Sequence, residues 1–234
     1  MRPRGERELA GLLSVSFGER IRVGLASIEV TRDGFLEAKD PYGEVKLKLL
    51  RESRVRLRPV PPLNRPKLLT DNVYLEFQEP VVLPPRSAEL WMRAPYELSI
   101  ELEGERVAIL SPHKVKYVLL GDVIDGVVCR YYKTSAADSP EALNVEGGEA
   151  LVRISLSSSD SAILPGIGFR CSGIPLYADE RFVYYPLVNT ELKEKVLESE
   201  VVSDPPKEGL VEILEERKKG LEMLGTSRLV IPVG

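Results

Sequence analysis

RIRVGLASIEVTRDGFLEAKDPYGEVKLKLL, residues 20–50, decides the fold class. Apolar and polar residues alternate through Arg20–Val30, again through Gly34–Asp40, and again through Glu44–Leu50. A two-residue period places alternate side chains on opposite faces of a strand. Asp33-Gly34 separates the first two runs and Pro41-Tyr42-Gly43 the second pair, and both are turn sequences. The stretch therefore reads as three consecutive antiparallel strands, with VTRDGFLEA (30–38) as the clearest hairpin signal.

The same writing continues outward to about residue 190. VYLEFQEPVVLPPRSAELWMRAPYELSIELEGERVAIL (73–110), EALVRISLSSSDSAILPG (149–166) and ERFVYYPLV (180–188) alternate in the same way. Pro80, Pro84, Pro85 and Pro95 mark edge or bent strands. Between residues 58 and 72 lie Pro59, Pro61, Pro62 and Pro66, which exclude a helix and predict an extended connector. TELKEKVLESEVV (190–202) fits helix and strand equally. SDPPKEGLVEILEERKKGLEMLGTS (203–227) differs from the rest. Asp204 suits an N-cap, Gly225 a stop, and Leu210, Ile213, Leu214, Arg217, Leu221 and Leu224 share one helical face. RLVIPVG (228–234) predicts a last strand.

The expected fold is mainly β, a β-sandwich or barrel-like body with a C-terminal amphipathic α-helix over about 207–224. The expected organisation is an N-terminal β subdomain (1–58), a Pro-rich connector (59–72), a main β domain (73–202) and a C-terminal helix with a short strand (203–234).

Composition narrows the function. Hydrophobic residues at 43% and charged residues at 29% are those of a globular chain, and no apolar run reaches the length of a membrane span. The charged N-terminus lacks an apolar stretch after it, so no signal peptide is expected and the cytoplasm is the expected location. One Gln, one His and two Cys beside abundant Glu and Arg suggest a thermophile protein. Cys129 and Cys171 read as two buried free thiols, with a disulfide between them as the alternative, and there is no CxxC or Cys/His spacing for zinc.

HKVKYVLLGDVIDGVVCRYYKTS, residues 113–135, concentrates the rare residues. Its alternation predicts a hairpin with a loop at 121–126, bounded by Gly121 and Gly126. His113 then sits at the opposite end from Asp122 and Asp125, about 20 Å away at strand rise, so the three do not form a catalytic set. Tyr117, Cys129 and Tyr131 are expected to face a core, whereas Lys116, Arg130, Tyr132 and Lys133 suggest a basic and aromatic surface.

The second candidate is electrostatic. Residues 45–67 hold eight basic residues and one acid in a chain of net charge −4. Lys46 and Lys48, then Arg54, Arg56 and Arg58, alternate with apolar residues, so each strand has a basic face. Glu29, Glu37 and Glu44 could neutralise it as a surface ion-pair network. Otherwise it is an anion-binding surface for an anionic ligand or acidic partner. A sequence pI near 5.4 and the lack of a recognised motif argue against nucleic acid. LPGIGFRCSG (164–173) has the glycines of a loop but no phosphate-binding register, and SLSSSDS (155–161) lacks the context of a nucleophile. Trp91 reads as core or interface packing.

PVPPLNRPKLLTDNVYLEF (59–77), EPVVLPPRSAELWMRAPYEL (79–98) and KVKYVLLGDVIDGVVCRYYKTS (114–135) together resemble an uncharacterised archaeal family, a domain of unknown function. The resemblance spans about residues 15–200 and rests most on Lys116, Tyr117, Gly121, Gly126, Cys129, Arg130 and Tyr131. Leu120 stands where the family often has Tyr. The resemblance implies an archaeal cytoplasmic source and no transferable activity. The expected function is a non-enzymatic binding or assembly module, a homodimer needing no cofactor, with Lys46, Lys48, Arg54, Arg56 and Arg58 as the anion-binding surface. The alternative is a hydrolase or carbohydrate-active enzyme on a β-sandwich, using carboxylates that cannot be picked from 36 acids.

Overall fold

The computed structural model describes residues 12–49, 53–66, 69–194, 196–213 and 228–232. Strands dominate, and curled sheets form a half-barrel. The first is a short strand, β1 (Leu13–Val15), followed by the meander β2 (Arg20–Val23), β3 (Ala26–Val30), β4 (Phe35–Asp40) and β5 (Gly43–Lys48). The hairpin signal at Asp33-Gly34 holds: Gly34 takes φ +77° and the Thr31 hydroxyl accepts the Phe35 amide. Ala26, Ile28, Val30, Leu36 and Ala38 point inward and are fully buried.

β6 (Val55–Val60) leaves this meander and pairs with β1. The chain then crosses the Pro-rich connector into β7 (Asn72–Leu83), β8 (Arg86–Pro95), β9 (Glu97–Leu102) and β10 (Glu105–Leu110). β9 returns to pair with β6, so one sheet runs β1-β6-β9-β10 and contains strands from both sides of the connector. β8 and β9 are nearly one strand, interrupted at Tyr96, whose amide bonds to Gly148 O. Pro95 lacks an N–H and sits where the chain changes sheets.

β11 (Lys116–Leu120) and β12 (Val127–Thr134) form the expected hairpin, closing at Leu120↔Val127. β12 runs parallel to β7, giving a sheet ordered β11-β12-β7-β15, where β15 is Ala162–Arg170. The largest sheet holds β8, β13 (Ala136–Ala137), β14 (Glu149–Ser158), β16 (Leu176–Ala178), β17 (Val183–Tyr184), β18 (Val188–Lys193), β19 (Val196–Val201), β20 (Val211–Ile213) and β21 (Arg228–Pro232).

Two expectations are corrected here. LPGIGFRCSG is largely strand, not loop: a Cβ on Gly166 would lie 2.4 Å from Leu75 O, and one on Gly168 2.2 Å from Ile231 Cδ1. These glycines let neighbouring backbone and the facing β21 approach closely. The expected C-terminal helix also fails where it can be followed. Residues 207–210 are not helical, with a turn at Glu208-Gly209, and Val211–Ile213 is a strand paired with β16. The rest of that segment, 214–227, lies outside the described residues, and no α-helix occurs among those described. The ambiguous 190–202 segment is the β18–β19 hairpin, and the last strand forms as expected.

The connector is held by two buried charges. Glu97, 1% exposed, accepts the backbone amides of Asn64 (2.8 Å) and Arg65 (2.6 Å) and the Asn64 side-chain amide (3.2 Å). Arg130, 2% exposed, donates to Arg65 O (2.7 Å), Pro66 O (3.5 Å) and Thr70 O (3.4 Å). A proline-rich segment cannot satisfy its buried backbone through a ladder, so side chains must do it. Burial raises the Glu97 carboxyl above its ordinary range, and the three donated hydrogen bonds and Arg130 oppose that rise.

Arg130→Met keeps bulk but strands these carbonyls and removes the positive charge facing Glu97. The expected loss is about 3 kcal/mol of unfolding free energy, read from the urea midpoint at unchanged slope.

Candidate functional site

The basic strands are placed apart. β5 carries Lys46 and Lys48 in the meander, while β6 carries Arg56 and Arg58 in the sheet with β9, and Arg54 immediately precedes β6. Lys46 pairs with Glu37, directly opposite it, and Lys48 donates to Asp33 O. Both lysine ammonium groups lie over the Phe35 ring, at 4.8 and 4.2 Å. Arg58 is buried and paired with Glu101. Arg54 and Arg56 remain exposed.

The 113–135 stretch forms a hairpin whose loop lies at the far end from His113. Cys129 is fully buried, as expected of its inward face. Arg130, expected at the surface, is instead buried under the connector, because its guanidinium serves the carbonyls there. Tyr131 is half-buried and donates its hydroxyl to Glu76.

His113 joins a closed network. Its Nε2 lies 3.0 Å from Gly148 O, and its ring meets Tyr132 edge-on at 5.5 Å. Tyr132 donates to Glu149, which also accepts the Glu146 amide and pairs with Arg93 at 3.3 Å. Gly148 leaves no room for a side chain, since a Cβ there would lie 2.9 Å from His113 Nε2. The Tyr132 hydroxyl, the Glu149 carboxylate and Arg93 Nη1 serve one another or the backbone, while Arg93 Nε is buried without a partner among the described residues. Both thiols are free and buried, and burial pushes Cys129 up to about 12 and Cys171 higher. Such thiols are unreactive at neutral pH. Among the described residues no three His, Cys, Asp or Glu side chains gather in a way that could hold a metal ion.

The open concavity lies elsewhere, on the outward face of the largest sheet. It has a volume of about 500 Å³ and is lined by β14, β18, β19 and β21. Register aligns its side chains in two rows. Ser155 faces Asn189, then Glu200, then Arg228. Ser157 faces Glu191, then Glu198. Glu191 and Glu198 stand directly opposite across an antiparallel ladder, where like charges repel. Lys193 neutralises Glu191 at 2.6 Å and Arg228 neutralises Glu198. Glu200 has no ion pair among the described residues. Beneath this face, Val188, Leu197 and Val201 enter the core, and Thr190 and Ser199 satisfy each other at 3.0 Å. Residues 203–207 are held to the same sheet by Arg153 to Pro206 O (2.8 Å), Tyr177 to Ser203 O, and Lys207 to Asp179 (2.8 Å). Trp91 is buried edge-on against Tyr184, 6.2 Å between centroids, and so offers no stacking face.

The trough was not found from sequence because its two central strands, β18 and β19, lie mostly in the segment that read equally as helix. The alternation Asn189, Glu191, Lys193 and then Glu198, Glu200 was the available signal. Polar Thr190 and Ser199 on the inward face obscured it.

The family model described as a protein of unknown function, DUF432, matches residues 11–230. Searches of curated proteins and of solved structures each found no match.

Burial lowers His113 below its ordinary value of 6.5. The unfolded chain therefore takes up the proton first, and this contribution to stability, present above about pH 6.5, is lost as pH falls towards the folded-state value. Glu97, raised by burial, contributes with the opposite sign. Calorimetry should show Tm falling between about pH 7 and 5.5, and His113→Gln should flatten that fall. A wild-type Tm that holds steady across this range contradicts the assignment.

Proposed function

We propose that this chain, which belongs to the DUF432 family of proteins of unknown function, is a binding module that seats an extended, hydroxyl-rich ligand in the trough. The observation that carries the reading is the lining. Ser155, Ser157 and Asn189 each donate and accept, and around them the Lys193–Glu191 and Arg228–Glu198 pairs set ammonium and guanidinium donors beside carboxylate acceptors. A sugar hydroxyl both donates and accepts, so a mixed field of this kind suits an oligosaccharide. A field of free acids would suit a cation, and a field of free bases an anion. Four strands about 4.8 Å apart give the trough a length of about 14 Å, enough for a short chain of residues.

The basic strands at 45–67 are the weaker seat. Lys46, Lys48 and Arg58 are each engaged by a neighbouring acid or carbonyl, which leaves Arg54 and Arg56 as the exposed pair. A carbohydrate-active enzyme would use two facing carboxylates as acid and base or nucleophile. Glu191 and Glu198 are the facing pair here, but each is held by its own cation, which favours holding a ligand over transferring a proton.

The test is an amide-shift titration with neutral oligosaccharides, an anionic polymer and spermine. Neutral oligosaccharides are expected to move the amides of Ser155, Asn189, Glu200 and Arg228, and Asn189→Ala with Glu200→Ala to weaken binding at least about tenfold at unchanged Tm. Trough amides that stay still at saturating oligosaccharide overturn the reading. Polymer binding that weakens steeply with salt and vanishes in Arg54→Ala/Arg56→Ala assigns the function to the basic strands instead. Release of shorter sugars during the titration assigns it to the enzyme alternative.

A further inference from the structure

β11 is an open edge: among the described residues it ladders only with β12. An open edge presents unpaired N–H and C=O groups that another strand can take up, and proteins usually blunt it with charge, proline or a bulge. Lys116–Leu120 has one lysine, no proline and an unbroken register.

Around the distal end of this edge lies an uncovered apolar patch. Leu119 and Val128, direct cross-strand partners, are 44% and 37% exposed. Val123 and Ile124 at the loop tip are 91% and 90% exposed. Leu69, beside the Thr70 hydroxyl that donates to Val128 O, is 64% exposed. Exposed aliphatic side chains gathered at one end of a hairpin are the kind of surface that marks an interaction site. The loop is preformed. Asp122 Oδ1 accepts the amides of Ile124 and Asp125, both at 2.8 Å, and a Cβ on Gly126 would lie 2.2 Å from Asp122 O.

We infer that a second copy of this chain covers this patch, with β11 pairing antiparallel to itself about a two-fold axis and joining the two four-stranded sheets into one. Charge complementarity selects this occupant. An antiparallel pairing centred on Val118 sets Lys114 opposite the partner's Asp122, and the two-fold repeats the contact. Centring it on Leu119 sets Lys116 opposite the partner's Asp122 instead. Both lysines are exposed, and neither has an ion pair among the described residues. An anionic lipid surface fits less well, because Asp122 and Asp125 flank the apolar tip and repel it. The inference is independent of what the trough binds.

Sedimentation velocity of the full chain decides it. The expected species has twice the 26.1 kDa chain mass. Lys114→Glu places like charges opposite each other and should weaken the dimer at least about tenfold. Adding Asp122→Asn, which keeps an acceptor for the loop amides, should recover part of that loss. Leu119→Asp should give monomer with an unchanged circular dichroism spectrum. A wild-type monomer at about 100 µM overturns the proposal, since a stable edge-paired dimer binds well below that. A dimer indifferent to both Lys114→Glu and Leu119→Asp overturns it too, by placing the interface elsewhere.

Discussion

The clamp of Glu97 and Arg130 on the proline connector is the constraint on which the arrangement of the sheets depends. The connector carries the chain from β6 to β7, and its prolines deny it a ladder of its own. Glu97 takes its amides from one side and Arg130 takes its carbonyls from the other. Glu97 lies on β9, paired to β6, and Arg130 lies on β12, paired to β7. The clamp therefore ties two sheets together through a segment that could not order itself. Burying two charges is costly, and it is tolerated here because each is hydrogen-bonded several times over.

The same logic repeats wherever the sheets meet. β8 and β9 pass from the largest sheet into the β6 sheet across Tyr96, whose amide is taken by Gly148 O. At that point His113, Tyr132, Glu149 and Arg93 form one network packed around Gly148. Gly24 brings the β2–β3 turn to the same junction, where its φ is +55° and a Cβ would lie 2.6 Å from Pro112 O. The rare residues that suggested chemistry are thus used as structural joints. What stays open to solvent is the polar face of β14, β18, β19 and β21, which lies away from these joints.

Much of the fold was legible locally. Alternation over residues 20–50 identified strands, because one buried face imposes a two-residue period, but it read three where there are four: the run 20–30 turns at Gly24-Leu25, and β2 pairs with β3. The 121–126 loop followed from its glycines. The errors share a cause. At 207–213 the helical spacing of Leu210 and Ile213 was real, but pairing of Val211–Ile213 with β16 outweighs local preference. At 164–173 the glycines suggested a loop, whereas they admit Leu75, Tyr74 and Ile231 against a strand. Arg130 was assigned to the surface by its charge, and only the connector crossing above it made it a buried donor.

Local sequence was enough to establish that this is a β protein, where the β3–β4, β4–β5 and β11–β12 turns fall, and that His113 stands apart from Asp122 and Asp125. Period and turn chemistry are properties of neighbouring residues, so they can be read along the chain. Tertiary structure alone decided that the basic strands lie in separate sheets, that Arg130 and Glu97 share the connector, and that Ser155, Asn189, Glu200 and Arg228 form one row. Those relations join residues dozens of positions apart through strand pairing, and pairing is set by which faces can be buried together.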